Sequence, residues 1–343
     1  MDTKYRFHLR ELIGKDLVRG RSVGEKCREE ARSGHGFTLV EMLVAVAILS
    51  ILSLLLMVIL NQVSAGWSLV QSQIDARQNG RAILTLMASD LRPAALPTDR
   101  TNTNNLQFVV DPPVLTAASG YLYPHAFFWQ APIATSTTFG TMAEVGYFIR
   151  WDTSKVGNPR AFLCRLFVNP PNPRVASSYI YAQPTAWLTT SILDSTAPGT
   201  MASAYQGWVA DNVIGLWVRC LDANGLPITQ DSGSTENGSP ATVNYAFDSR
   251  KGYTTANGVM KSGIYDASSQ TFQLWTTLPS YVEIAVVVID ARGASRITTI
   301  PTYASTDPTK FWSEIQTFMS SLPAGVSNRA RVYSTRVQMS NGG

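Results

Sequence analysis

The chain has 343 residues, of which 45% are hydrophobic and only 15% charged; about a quarter charged is usual for a soluble domain. Net charge is +4 and unevenly spread: residues 1–36 hold nine Lys/Arg against six Asp/Glu, and residues 37–343 hold nineteen against eighteen. A bulk so close to neutral excludes the basic-domain footprint of a nucleic-acid binder.

Residues 1–36 are polar and of mixed charge, with no apolar stripe of their own. The run Phe37 to Leu60 follows: 24 residues with one charge, Glu41. As helix it is roughly 36 Å long, enough to cross a hydrocarbon core of about 30 Å. The basic excess upstream predicts a cytoplasmic N-terminus and an extracytoplasmic remainder. A plain membrane anchor accounts for the length but not for Glu41, which is costly in a spanning segment. A secretory signal peptide would use Val63-Ser64-Ala65 as its small-residue cleavage site, but the apolar run and the region before it are both too long for one.

The third reading starts from Gly36-Phe37-Thr38-Leu39-Val40-Glu41-Met42 before an apolar helix. This stretch resembles the processing site of type IV prepilins and type II secretion pseudopilins, over about residues 36–66. The resemblance implies cleavage between Gly36 and Phe37 by a membrane prepilin peptidase and N-methylation of Phe37. It implies that Glu41 pairs with the Phe37 amine of a neighbouring subunit and sets the register of assembly. It also implies other pilin or pseudopilin subunits and an inner-membrane assembly platform as partners. The expected location is the bacterial inner membrane, single-pass, with a periplasmic C-terminal domain that ends in an extracytoplasmic filament. Many pilins carry a proline midway along this helix. Here there is none between Phe37 and Arg92, so no such kink is expected.

Beyond Leu60, Val63, Trp67, Val70, Ile74, Leu84, Met87 and Leu91 recur at three- and four-residue spacing. They predict one spine helix over 37–92: a membrane half, 37–60, and an amphipathic half, 61–92, with Gly66 and Gly80 as weak points. Arg92-Pro93 is the stop. A β-rich domain over 93–343 follows. Leu106, Phe108 and Val110 alternate as a strand, 112–142 reads as loop, and 145–151 with 160–168 as a hairpin. Residues 169–207 form a Pro/Ser/Thr-rich excursion. Val209 to Leu221 reads as a strand with its lead-in, 226–270 as a polar insertion, and Val282 to Asp290 as the clearest strand. A C-terminal helix and strand occupy 307–339, with Asp307 as N-cap, Pro308 in the first turn, and Phe311, Trp312, Ile315, Phe318, Met319 and Leu322 on the apolar face. The fold class is α+β, a helical spine on an antiparallel sheet of pilin type. The strand pair with its insertion resembles larger minor subunits of the J and W type and the Verru/Chthon cassette protein C group. The 307 residues left after cleavage suit a minor rather than a major subunit.

Cleavage would leave Cys164 and Cys220 as an even pair, and export would permit a bridge between them. Two buried free thiols are the other reading. His125, read as a loop residue among aromatics, is the only histidine beyond the leader, so neither a triad nor a His-rich zinc site can be assembled. Phosphate-binding Gly motifs are lacking, and no enzyme activity, metal or cofactor is expected. Asp222-Ala223-Asn224-Gly225 reads as a turn rather than a calcium loop, and nothing in Asp231–Asn237 specifies ligands. Trp129, Trp151, Trp187, Trp208 and Trp275, read as loop or near-loop residues, suggest an alternative function: a membrane-anchored module binding a polysaccharide or secreted substrate.

Overall fold

The computed structural model describes residues 37–96, 108–111, 122–153, 157–170, 206–229, 245–249, 253–255, 260–261, 263–266, 271–274, 278–302 and 307–340. Gly36 and the rest of the leader, Leu106, most of 169–207, Asp231–Asn237, Trp187 and Trp275 lie outside them. The chain divides into two compact units, Met1–Gln62 and Val63–Gly343.

Helix α1 is Leu39–Leu91, within two residues of the expected span. Its described side chains are exposed from Leu39 through Gln71, Ser72 and Gln73 are half-buried, and burial begins at Ala76 and continues with Ile83, Leu84, Met87 and Leu91. The expected amphipathic stripe is therefore only half used. Val63, Trp67, Val70 and Ile74 are exposed, Trp67 by 74%. Periodicity identifies an apolar face but cannot say how much of it the same chain covers.

Two antiparallel sheets build the β domain. The larger has the order β5-β4-β3-β2-β1-β8, from β1 (Val109–Val110), β2 (Leu122–Ala131), β3 (Ala143–Asp152), β4 (Arg160–Val168), β5 (Gln206–Asp211) and β8 (Phe247–Asp248). The smaller has the order β14-β13-β6, from β6 (Val213–Leu221), β13 (Tyr281–Ile289) and β14 (Ala330–Gln338). Short strands β7 (Ile228–Thr229), β9 (Tyr253–Thr255) and β10 (Met260–Lys261) make a third sheet, and β11 (Gly263–Asp266) pairs with β12 (Thr271–Leu274). Within the expected polar insertion, then, the described residues include strands.

Two sequence expectations are corrected by backbone chemistry. Residues 122–131, read as loop, form the ten-residue strand β2. Pro124 argues against a strand because it cannot donate to a ladder; here the pairing with β3 is irregular between Leu122 and Ala126, which accommodates it. The segment Val209–Leu221, read as one strand with a lead-in, is two strands in two sheets. Asn212 breaks it at φ 61°, in the left-handed region that asparagine tolerates. Its N–H donates to the Ala161 carbonyl beside the larger sheet, and its carbonyl accepts from Ile289 N–H of the smaller one, at 2.9 and 3.0 Å.

The uninterrupted apolar run of β13 is explained by its central place, paired on both edges and buried from Val282 to Ile289. Register puts Leu216, Val286 and Tyr333 side by side on one face, and Trp217, Ala285 and Ser334 on the other. The expected C-terminal helix covers the second face. After the Asp307 cap, which accepts from Thr309 N–H at 2.9 Å, a 3-10 turn Pro308–Lys310 leads into the longer C-terminal helix, Phe311–Ser321. Its Phe318 meets the Trp217 ring edge-on at 5.2 Å, while Trp312 is exposed. Two short helices flank it: α2 (Ala291–Ala294) follows β13, making Phe311–Ser321 α3, and α4 is Ala324–Ser327.

The first face carries α1. Gly80, read as a weak point, is a contact position: a Cβ there would collide with the ring of Tyr333 on β14. Gly66 has nothing within 4 Å. Gly80→Ala is expected to destabilise the domain by about 1–3 kcal/mol through overpacking, and Tyr333→Ala should relieve much of that penalty. Gly66→Ala is expected to be neutral or mildly stabilising. Denaturant midpoints of the three variants and the double mutant check this.

Candidate functional site

The first turn of α1 is built from the motif residues themselves. Thr38 stands at the N-cap and Glu41 three residues on. Thr38 Oγ1 accepts from Glu41 N–H at 3.3 Å, and Glu41 Oε2 accepts from Thr38 N–H at 2.9 Å and Thr38 Oγ1 at 3.0 Å. This is a capping box, in which two orphan donors of the helix start are satisfied reciprocally. Glu41 is thus more than a charge in the wrong solvent. One oxygen organises the turn immediately after Phe37, and the negative group sits at the positive end of the helix dipole. The signature T-x-x-E before an apolar run is readable in the sequence, but an account built on the charge alone passes over it. Gly36 lies outside the described residues, and Phe37 is exposed.

At the other end of the same helix lies a carboxylate that sequence reasoning missed. Asp90 is buried, with 8% exposure. Its Oδ2 accepts from Tyr147 Oη at 2.6 Å and from Arg165 Nε at 2.9 Å, and its carbonyl accepts from Trp129 Nε1 at 3.1 Å. The three partners come from β3, β4 and β2, so one residue ties α1 to three strands of the larger sheet. Burial and then the adjacent carboxylate push the Tyr147 phenol upward. An acid in the last turn opposes the helix dipole, and that mismatch was the available sign of a dedicated partner.

Two further ion pairs fix the smaller sheet. Arg219 donates to Glu283 Oε2 from both Nε and Nη2, at 2.9 and 2.7 Å, and to the Pro308 carbonyl at 2.7 Å, while its guanidinium lies over the Phe311 ring. Asp290 caps α2 by accepting from Gly293 N–H and is paired with Arg329 at 2.7 Å.

The remaining candidates do not converge on a reactive centre. His125 is not a loop residue: it lies buried on β2, with its ring edge-on to Tyr245 at 4.8 Å and near Trp217. Desolvation pushes it down to about 3, so it is neutral. The Cys164–Cys220 bridge is not formed. Cys164 lies on β4 opposite Phe148, on the face away from the Phe127, Trp129 and Tyr147 stack; Cys220 lies on β6 opposite Val282, in the core. Separate sheets keep them as buried thiols. Burial pushes Cys164 up to about 12 and also raises Cys220, so neither is a nucleophile. Asp222 closes a turn, its Oδ1 accepting from Asn224 and Leu226 N–H, with Gly225 at φ 78°. No group of three or more His, Cys, Asp or Glu side chains suited to a metal occurs among the described residues. Trp129 and Trp151 are strand residues in the core, contrary to the loop placement. Trp208, on edge strand β5, is 45% exposed and stacks on Phe162 at 4.4 Å.

Removing the Asp90 carboxylate leaves Arg165 and the Tyr147 hydroxyl without their acceptor. Asp90→Ala is expected to cost roughly 3–5 kcal/mol, and Tyr147→Phe about 1 kcal/mol. Urea unfolding of the two variants should rank them in that order.

Comparison with known proteins bears on the N-terminal end. Residues 32–57 match the prokaryotic N-terminal methylation motif, which spans the Gly36–Phe37 bond, the capping box and the start of the apolar helix. A comparison with curated proteins finds no match. The helix that begins at this motif is long and apolar enough to cross a membrane. By that segment the chain carries a prepilin-type N-terminal cleavage and methylation motif.

Proposed function

We propose that the chain is a minor pilin or pseudopilin, cut between Gly36 and Phe37, methylated on the new amine, and packed through α1 into a pilus-like or secretion filament. The reading places residues 1–36 in the cytoplasm, 37–60 in the membrane and 93–343 in the periplasm, with 61–92 as the link. A prepilin peptidase, other pilin-like subunits and an inner-membrane assembly platform are the partners it requires.

The observation that carries it is the first turn of α1. Both hydrogen bonds that Glu41 accepts fall on Oε2. Oε1 is left to receive the ammonium group that cleavage creates on Phe37 of a neighbouring subunit. Two charges in a lipid or helix-packed surrounding are strongly unfavourable apart and tolerable together, so the pair sets axial register. Glu41 is an assembly residue and not a catalytic one. The alternative, an anchored binding module, loses Trp129 and Trp151 to the core; of its candidate tryptophans among the described residues, Trp208 is exposed.

Charge and cap can be separated by substitution. Glu41→Gln keeps an acceptor for Thr38 and removes the charge; Glu41→Ala removes both. Both variants are expected to be cleaved close to normally and to fail to enter filaments. Circular dichroism should show first-turn helicity retained better in Glu41→Gln. Normal incorporation of Glu41→Gln, scored by immunoblot of sheared filaments, would contradict the register role.

A further inference from the structure

The exposed half of the α1 stripe keeps a strict period. Val63, Trp67, Val70, Ile74, Arg77 and Arg81 follow one another at alternating steps of four and three residues, and all six side chains are exposed. That spacing is a heptad seam, the row by which one helix packs along another. All six belong to the compact unit Val63–Gly343. The same row continues through Leu84 and Leu91, which the β domain buries. A straight α-helix drifts by about 20° per heptad against a strict seven-residue repeat. One row can therefore lie in the core near Leu91 and face outward a few turns earlier.

The outward part of the seam ends on two arginines. Among the described residues neither Arg77 nor Arg81 is paired with an acid. Arg331 borders Arg77 in a shallow notch that also holds Arg329 and Asp290. Asp290 is committed to the α2 cap and to Arg329, so Arg331 adds to the positive charge there. Residues 61–92 contain two acids. Asp90 is buried in its cluster with Tyr147 and Arg165. Asp75 lies off the seam, one place after Ile74, and accepts from Gln71 on its own helix. The corresponding stretch of a second copy, laid along this seam in any register, would meet Arg77 and Arg81 with apolar residues or with arginines.

Charge therefore selects the occupant. We propose that this seam docks the helix of a different pilin-like subunit, one that carries Asp or Glu at the two seam places opposite Arg77 and Arg81. The four apolar places supply contact area and the two arginines supply the choice of partner, because a charge on a seam is costly unless its counterpart is present. A guanidinium and a carboxylate match through two parallel hydrogen bonds. The inference rests on the reading that α1 packs into a filament. It adds which neighbour α1 accepts: an acidic helix rather than another copy of this chain.

The test measures the binding of two fluorescein-labelled peptides to the full chain, purified in detergent, by fluorescence anisotropy. One peptide has the sequence of residues 61–82. The other is the same peptide carrying Arg77→Glu and Arg81→Glu, and serves as the acidic helix. The acidic peptide is expected to bind about tenfold more tightly or better, since like charges facing across a contact are strongly unfavourable. High salt should narrow the gap. The full chain carrying Arg77→Glu and Arg81→Glu should reverse the preference with its melting temperature unchanged, because both positions are exposed and Glu is about as good a helix former as Arg. Trp67→Ala in the full chain should weaken both peptides alike. Equal binding of the two peptides by the parent chain, or no binding of the acidic one, overturns the proposal. Tighter binding of the unmodified peptide overturns it too and assigns the seam to a second copy. An undiminished preference in the folded Arg-to-Glu chain would place the contact elsewhere and also overturn it. If that variant does not fold, Trp67→Ala decides, and unchanged binding of the acidic peptide to it overturns the proposal. The filament reading is scored separately: absence of the parent chain from sheared filaments counts against that reading and leaves the peptide result standing.

Discussion

A carboxylate at each end of one helix organises this protein. Glu41 stands in the first turn of α1, where the helix dipole and the Thr38 cap favour it. Asp90 stands in the last turn, where the dipole opposes it and only Arg165 and Tyr147 make it tenable. The first caps the start of the helix. The second fastens the helix to β2, β3 and β4. Between them α1 passes from a stretch whose described side chains are exposed to one buried in a core. A single continuous helix can meet both demands because its backbone hydrogen bonds are internal and indifferent to the surrounding solvent.

The β domain is arranged so that both sheets can use that helix. The larger sheet reaches it through the Asp90 cluster, and the smaller through Tyr333 against Gly80. Asn212 makes the passage between sheets with one left-handed residue and two backbone hydrogen bonds. The tail then closes the far face of the smaller sheet with α3, whose entry is set by Asp307 and Pro308 and whose position is set by Arg219 bound to Glu283 and the Pro308 carbonyl.

What was legible in the sequence follows the strength of the local physics. The spine helix, the β3–β4 hairpin, β13 and the capped C-terminal helix all carry strong periodicity or cap chemistry, and each lies close to its expected bounds. Strand β2 was hidden because Pro124 is a local argument against a strand, and the ladder irregularity that accommodates it is a tertiary fact. The split at Asn212 was hidden because the apolar alternation runs on through it. His125 and Trp129 were misplaced with β2 itself. At the N-terminal motif the residues were evident, while the reciprocal bonding of Thr38 and Glu41 follows from a helix-start rule that a view centred on membrane cost does not consult. The Asp90 cluster is assembled from residues up to 75 positions apart in sequence, so no local pattern could announce it.

The central claim is that the partner of Glu41 comes into being only when the bond between Gly36 and Phe37 is cut. Intact and N-terminal mass spectrometry of the membrane-bound protein tests this most directly. The account predicts a chain beginning at Phe37 with a methyl group on its amine. A chain that retains residues 1–36, or one that begins at Gly66, would contradict it.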